Sequence, residues 1–228
     1  MRIGLLLIVL VLVGVPWAIN RGWLDVPPRW DPWAPLDVHA PRNLLTGFKL
    51  WRLQNEPQLC EAALQSSSLR YTHQPDSSPA AQCPLENVLR ITGSELGFNQ
   101  SFLATCKLAV AFALFERHGL QPAAQAVFGQ PVVRLEHYGS FACRNIGGSQ
   151  RRSQHALANA LDMAAFRLRD GRRISVVNDW QGATKEALFL RRVHQAACEH
   201  FKITLGPEYN VAHRDHFHVD MGGFRMCR

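Results

Sequence analysis

The first part of the chain carries helical patterns of apolar residues. The stretch FLATCKLAVAFALFERHGL, Phe102–Leu120, is apolar on nearly every side, which predicts a buried helix at the centre of the core that ends at Gly119. Two shorter helices are predicted before it, one from about Leu44 and one that starts at Pro57, a residue favoured in a first turn.

Strand patterns dominate the later part of the chain. PVVRLEHYGSF alternates, and ALDMAAFRL and RRISVV flank the turn sequence RDG, which predicts a hairpin. An amphipathic helix is predicted over Ala183–Phe201, followed by a final strand in HFHVDMG. Helices first and strands later predict an α+β fold, in which N-terminal helices pack on a small antiparallel sheet.

The N-terminus predicts a membrane anchor. MRIGLLLIVLVLVGVPWAIN has a charged start and then seventeen uncharged residues, Ile3–Ile19, at the short end of the length that spans a bilayer. No small-x-small cleavage site follows, so an uncleaved transmembrane signal anchor over residues 1–22 is favoured over a cleaved signal peptide. Residues 23–43 are rich in Pro and Trp and are predicted to be an extended tether, and residues 44–228 to be the folded domain.

The cysteines and the charge narrow the class of protein. Six widely spread cysteines predict up to three disulfides in an exported domain, with fifteen possible pairings, whereas in the cytosol they would be buried thiols. The net charge of +7 is compatible with nucleic acid, an anionic membrane surface or an acidic cell-wall polymer. Basic residues do not interleave with aromatic ones, so nucleic acid is not expected as a partner.

Two short segments concentrate histidine and aspartate. In AHRDHFHVD a strand would point His216, His218 and Asp220 to one face, because side chains two apart share a face. The earlier segment SQHALANALD adds His155 and Asp162, separated by small residues. Imidazole and carboxylate are ligands that a catalytic zinc takes. Either segment alone is weak evidence, since isolated surface histidines are commonly just solvated, but together they predict a metal site.

These segments also carry a resemblance. SxHxxxxAxD followed by HxDHFHxD resembles the zinc peptidase superfamily of D-Ala-D-Ala metallopeptidases, lysostaphin-like enzymes and the hedgehog fold. More closely, the chain resembles the bacterial extensin-like C-terminal domain family. The resemblance extends over about Arg29–Arg228 and is carried by RWDPWAPLDV, TCKLAVAFALFERHGLQPAAQ, RLEHYGSFACRN, SQHALANALDMAAFRLRDGRRISVVNDW, LGPEYNVAHRDHFHVD and the closing CR.

The resemblance implies roles for individual residues. His155, Asp162 and His218 would bind Zn²⁺. A base would take a proton from the attacking water; His216 is favoured for this role, ahead of His213 and then Asp215, whose side chain is shorter than the glutamate of some relatives.

Two further positions bear on the resemblance. Arg144, in SFACRN, would hold an oxyanion or a substrate carboxylate, or is simply a surface arginine. A position that is commonly glycine in the zinc motif holds Ala158. This departure bears on substrate geometry more than on zinc binding.

The resulting expectation is a zinc metallopeptidase that cleaves peptidoglycan stem peptides or cross-links. It would be held in the inner membrane by a single N-terminal helix, with the C-terminal domain in the periplasm. The alternative is a non-catalytic wall-binding or scaffold protein that retains the peptidase fold.

Overall fold

The computed structural model describes residues 2–23, 26–80 and 82–228, apart from the side chains of residues 2, 3 and 5–9. Residue 1 of the predicted anchor and residues 24 and 25 of the predicted tether lie outside this part. The α-helices of the described residues are α1 (Arg2–Asn20), α2 (Thr46–Arg52), α3 (Pro57–Gln65), α4 (Cys106–Phe115), α5 (Gln121–Phe128), α6 (Val176–Asp179) and α7 (Lys185–His200). The strands are β1 (Arg70–His73), β2 (Val88–Gly93), β3 (Gly97–Phe98), β4 (Phe102–Thr105), β5 (Val132–Gly139), β6 (Ala160–Leu168), β7 (Arg173–Ser175), β8 (Ile203–Leu205), β9 (Phe217–Asp220) and β10 (Met226–Cys227).

The α+β class is confirmed, but the predicted arrangement of its elements is wrong. Seven strands form one sheet in the order β10-β8-β9-β6-β5-β3, with β7 paired to β6, and β1-β2-β4 form a second sheet. The large sheet is mixed, because β10 runs parallel to β8 and β3 parallel to β5. The helices are not confined to the N-terminal side, since α4 and α5 lie between β4 and β5 and α7 precedes β8.

The predicted central helix begins later than expected and does not end at Gly119. Phe102–Thr105 is strand β4, and the Thr105 hydroxyl accepts a hydrogen bond from the Leu108 amide at 3.3 Å, which starts α4. A π-helical turn, Glu116–Leu120, then leads directly into α5. A Cβ at Gly119 would lie 2.8 Å from the Ala196 Cβ, so this glycine permits the close approach of α7 instead of ending the helix.

Bulges in β5 and β6 decide which residues face the core. Glu136 and His137 pair with Ala165 and Met163, so Ala164 is an extra residue on β6. This shift places Phe166 on the same face as Met163 and leaves Asp162 on the other face. Phe166 packs on Phe189 of α7, with ring centroids 5.6 Å apart.

The segment predicted to be a tether lies against the domain. It contains turns and no helix between residues 26 and 43, and its Leu36 and Val38 side chains are buried in the main core. The Lys49 ammonium donates a hydrogen bond to the Pro28 carbonyl at 2.6 Å, and the Trp33 ring meets Phe48 edge to face. These contacts join residues 28–38 to α2.

The prediction of three disulfides is confirmed, and the structure assigns their pairing. Cys60 pairs with Cys106, Cys83 with Cys143, and Cys198 with Cys227. The Cys83–Cys143 bridge anchors the loop that follows β5, which leads to the SQHALANALD segment.

The predictions of a transmembrane anchor over residues 1–22 and of a single-pass inner-membrane location are wrong. Within the described part of the chain, no helix combines the length and apolar character needed to cross a membrane.

Candidate metal centre

His155 is held in place by the short helical turn on which it sits. A 3₁₀ turn spans Gln154–Leu157, with the Ser153 hydroxyl accepting the His155 amide at 3.3 Å. Ala158 ends the turn in the left-handed conformation, with φ of 51°. The buried His155 ring is fixed from behind, because its Nδ1 lies 3.2 Å from the Ser140 carbonyl oxygen.

Asp162 and His218 face each other across paired strands. Asp162 of β6 is directly opposite His218 of β9 in the antiparallel register, so their side chains lie on one face of the sheet. The Nε2 of His218 lies 3.0 Å from the Asp220 carboxylate, two residues along the same face. The Asp220 carboxylate also accepts the Gly222 amide at 2.8 Å, which fixes its position.

The three side chains implied as zinc ligands converge on one point. His155 Nε2 lies 3.1 Å from Asp162 Oδ1 and 3.1 Å from His218 Nδ1, and the last two atoms are 2.9 Å apart. Tetrahedral zinc holds nitrogen and oxygen ligands roughly 3.3 Å from one another, so the observed spacing fits such an ion. The second nitrogen of each imidazole faces an acceptor, Ser140 O or Asp220 Oδ2, which leaves the converging nitrogens as electron-pair donors.

The electrostatics also favour a cation at this point. Burial acts to raise the pKa of Asp162, but hydrogen bonds from His155 and His218 outweigh it and lower that pKa strongly, so the carboxylate is charged. Burial acts to lower the pKa of His218, but Asp162 and Asp220 outweigh it and raise that pKa to about 9. Two carboxylates therefore favour positive charge at the His218 ring, whether it is a proton or a metal ion.

The three residues considered for proton transfer lie beside the converging ligands. His216 is buried, with its Nε2 3.5 Å from Asp162 Oδ1 and its Nδ1 2.9 Å from Asp215 Oδ1. His213 lies further out, with its ring centroid 5.3 Å from that of His216 and its Nδ1 2.7 Å from Asn210 Oδ1. Burial and the neighbouring His218 and His216 lower the pKa of His213 to about 4.

Arg144 is exposed at the edge of this site. Its charge makes the last and smallest contribution to the lowered pKa of His213. Its backbone carbonyl accepts the Ser153 amide at 3.2 Å, so Arg144 is tied to the start of the His155 turn.

The sequence interpretation missed two tyrosines beside the site, Tyr138 and Tyr209, and the Ser140 carbonyl behind His155. Tyr138 is the extra residue of a bulge in β5, since His137 and Gly139 pair with the consecutive residues Met163 and Asp162. Its half-exposed ring meets the His216 ring edge to face at 5.7 Å. Tyr209 contacts His213 in the same way at 5.5 Å. The tyrosines of LEHYGSF and GPEYNVAH were visible as aromatic residues near the polar segments, but the bulge that turns Tyr138 toward the site left no sequence pattern.

A second group of potential ligands is not a metal site. His194, Cys198 and Cys227 have ligand atoms within 4.8 Å of one another, but the two sulfurs form a disulfide. Disulfide sulfur lacks the thiolate charge that binds zinc.

Comparison with known proteins assigns a family. No curated protein and no solved structure matches the chain. A family profile described as "Extensin-like protein C-terminus" matches residues 58–228, which include every residue of the candidate centre. The chain therefore belongs to the extensin-like protein C-terminus family.

Proposed function

We propose that this protein is a zinc-dependent peptidase of the D-Ala-D-Ala metallopeptidase, lysostaphin and hedgehog-type superfamily. Its proposed substrate is peptidoglycan, cut in the stem peptides or their cross-links. The observation that carries the proposal is the convergence of His155 Nε2, Asp162 Oδ1 and His218 Nδ1 within 3.1 Å of one another. A catalytic zinc site uses three protein ligands of this kind and keeps a further position open.

The arrangement behind the ligands supports zinc binding in particular. Ser140 and Asp220 hold the outer nitrogens of His155 and His218, as is usual for histidines that bind zinc. When bound, zinc supplies a Lewis acid that polarises a peptide carbonyl and lowers the pKa of water.

His216 is the residue best placed to take up a proton during peptide hydrolysis. With Nδ1–H donated to the Asp215 carboxylate, its Nε2 carries the lone pair on the side of Asp162. Asp215 orients this imidazole and stabilises it once protonated, as a carboxylate does for the histidine of a hydrolase triad. His213 is the second candidate for this role: its Nδ1–H donates to Asn210 Oδ1 and its pKa is lowered to about 4, so the neutral ring presents Nε2 as an acceptor.

Arg144 and the overall charge suit an acidic substrate. Arg144 is exposed and its backbone is bonded to the start of the His155 turn, where its guanidinium can bind a stem-peptide carboxylate in bidentate fashion. The net charge of +7 favours approach to carboxylate-bearing polymers.

The test is metal analysis combined with muropeptide mass spectrometry. Purified protein is expected to contain about one zinc per chain and to release peptide fragments from purified sacculi, with both lost in chelator and restored by zinc. His155→Ala should lose zinc and cleavage together, whereas His39→Ala, at an exposed histidine, should keep both. Absence of zinc from the wild type, or cleavage by His155→Ala at the wild-type rate, would overturn the proposal. Bound zinc without any cleavage would instead support the non-catalytic wall-binding alternative.

A further inference from the structure

A second concave surface borders the turn that carries His155 but does not include the converging metal ligands. This cleft, of about 1040 Å³, is lined by parts of α2 and α3, the start of α4, the end of α7 and the segment after β9. None of the three converging metal ligands lines it. We call it the basic cleft, because the charged side chains on its described lining include four cations, Arg42, Lys107, Lys202 and Arg225, against one carboxylate, Glu86.

Two buried polar atoms on the lining of the basic cleft lack hydrogen-bond partners. Among the described residues, nothing accepts from the Nη1 of Arg42 and nothing pairs with the Nε2 of His200. His200 is only 4% exposed. Buried polar groups are nearly always paired in folded proteins, because leaving one unpaired costs about 1–3 kcal/mol. Arg42 and His200 both line the basic cleft, and their unpaired atoms are the first observation that points to a polar ligand there.

The Arg42 Nη1 and the His200 Nε2 need hydrogen-bond partners of opposite kinds. The Arg42 guanidinium is a donor only. The pKa of His200 is lowered to about 4, chiefly by burial, so its ring is neutral near pH 7. Because its Nδ1 donates to the Ala196 carbonyl at 2.8 Å, the neutral ring leaves Nε2 as an acceptor. A ligand that satisfies both presents an acceptor to Arg42 and a donor to His200.

The cations of the basic cleft repel one another. Burial and then the charge of Arg225 lower the pKa of Arg42, although Glu199 opposes this effect. Burial and then the charge of Lys202 lower the pKa of Lys107, opposed by Asp220. Like charges gathered in a partly buried cleft weaken the fold, and a bound anion would relieve this repulsion.

We propose that the basic cleft is a binding site for an oxyanion, carboxylate or phosphate, that carries a hydrogen-bond donor beside its charge. Arg42, Lys107 and Lys202 would hold the anion, and His200 would accept from the neighbouring hydroxyl or N–H group. The proposal does not depend on the peptidase activity, because none of these residues belongs to the candidate metal centre.

Isothermal titration calorimetry of the full chain tests the site, with protein that has been stripped of metal and then dialysed free of chelator, because common chelators are themselves carboxylates. Inorganic phosphate and citrate are titrated separately, at an ionic strength held constant with sodium chloride, so that the two arms separate phosphate from carboxylate ligands. We expect saturable binding of at least one of them with one site per chain. Arg42→Gln and Lys107→Gln should each raise the dissociation constant roughly tenfold, the usual effect of losing a charge-assisted hydrogen bond.

The matched control is Lys185→Gln, at an exposed lysine outside the cleft, which should bind as the wild type does. Arg42→Gln should also melt no lower than the wild type in chloride buffer, because it removes a repelled cation. If this variant does not fold, Lys107→Gln and Lys202→Gln decide the matter. The proposal fails if neither anion binds, or if Lys185→Gln weakens binding as much as the cleft variants do.

Discussion

At the scale of single residues, the contacts of His216 favour its proposed role as proton acceptor over a role as metal ligand. Its Nε2 is 3.5 Å from Asp162 Oδ1, further than either His155 Nε2 or His218 Nδ1, and its Nδ1 is bound to Asp215. We therefore expect His216→Ala to keep its zinc and to lose cleavage by about 10²–10⁴-fold, the usual contribution of a general base. Asp215→Asn should have a smaller effect, because it removes only the group that orients the ring.

The measurement is zinc stoichiometry alongside initial rates of muropeptide release for both variants and the wild type. Loss of zinc from His216→Ala would assign the residue to the metal ligands. A loss of rate in Asp215→Asn that exceeds the loss in His216→Ala would move the proton-carrying role to Asp215.

Ala158, at a position that is commonly glycine in the zinc motif, has a backbone conformation that glycine adopts more readily than alanine. Its φ of 51° is a left-handed conformation, which costs an L-residue roughly 1–2 kcal/mol. Ala158→Gly relieves this strain, but the loss of a buried methyl destabilises the fold by about 0.8 kcal/mol. The greater chain entropy of glycine in the unfolded state destabilises it further, by about 0.5–1 kcal/mol. We expect the variant to leave the free energy of unfolding within about 1 kcal/mol of the wild type.

Ala156 provides the comparison for this prediction. It is equally buried in the same 3₁₀ turn and does not have a positive φ, so Ala156→Gly has no strain to relieve. Denaturant unfolding should show Ala156→Gly less stable than Ala158→Gly by roughly 1–2 kcal/mol. Equal losses in the two variants would contradict the assignment of strain to Ala158.

At the scale of elements, the π-helical turn between α4 and α5 carries a buried acid. Glu116 is 3% exposed and accepts a hydrogen bond from the Ser94 hydroxyl at 2.9 Å. Burial raises its pKa from the usual 4.5 to about 7, so the folded state keeps a proton up to a higher pH than the unfolded state does. The unfolded state then binds fewer protons between these two values, and stability falls as pH rises from about 4.5 to about 7.

The stability of Glu116→Gln as a function of pH tests whether Glu116 makes the wild type less stable as pH rises. The amide keeps an acceptor for Ser94 without the titration, so the difference in unfolding free energy between the variant and the wild type should grow across this pH window. The expected change is on the order of 3 kcal/mol. Glu208→Gln, at an exposed glutamate, should show no such change with pH. A flat difference for Glu116→Gln would mean that Glu116 ionises in the folded state with an ordinary pKa.

Elements with local signals were predictable, whereas those decided by distant partners were not. The hairpin of β6 and β7 around Arg169–Gly171 and the amphipathic helix α7 follow from patterns within about twenty residues, and both are present. The four residues Phe102–Thr105 resemble the start of a helix, but pairing with β2 makes them a strand. The parallel pairing of β10 with β8 depends on the arrangement of the whole sheet, which alternation alone does not specify.

The candidate centre shows the same division. Strand alternation correctly places His218 and Asp220 on one face, since both strands that carry the site are regular at residues 160–163 and 217–220. The Ala164 bulge, however, separates Asp162 from the face of Phe166. That bulge depends on the partner strand β5, so no periodicity within β6 could predict it.

At the scale of the whole molecule, three disulfides cross-link parts of the chain that are distant in sequence. Their cysteines are separated by 46, 60 and 29 residues, and closure of loops of this length stabilises the fold by about 3–4.5 kcal/mol each in the chain-entropy description. Together this approaches the entire net stability of an ordinary domain, about 5–15 kcal/mol. We therefore expect the fully reduced chain to be largely unfolded where the oxidised chain is folded.

Removal of individual bridges should affect stability and zinc affinity differently. The Cys198–Cys227 bridge closes the shortest loop and ties β10 to α7, so Cys198→Ala with Cys227→Ala should lower stability with little effect on the candidate centre. The Cys83–Cys143 bridge adjoins Arg144 and the loop before His155, so its double alanine variant should lose zinc affinity as well. Denaturant unfolding combined with zinc titration of the two double variants compares them directly. Equal zinc affinity in both would show that the centre is held by β6 and β9 without help from the bridged loop.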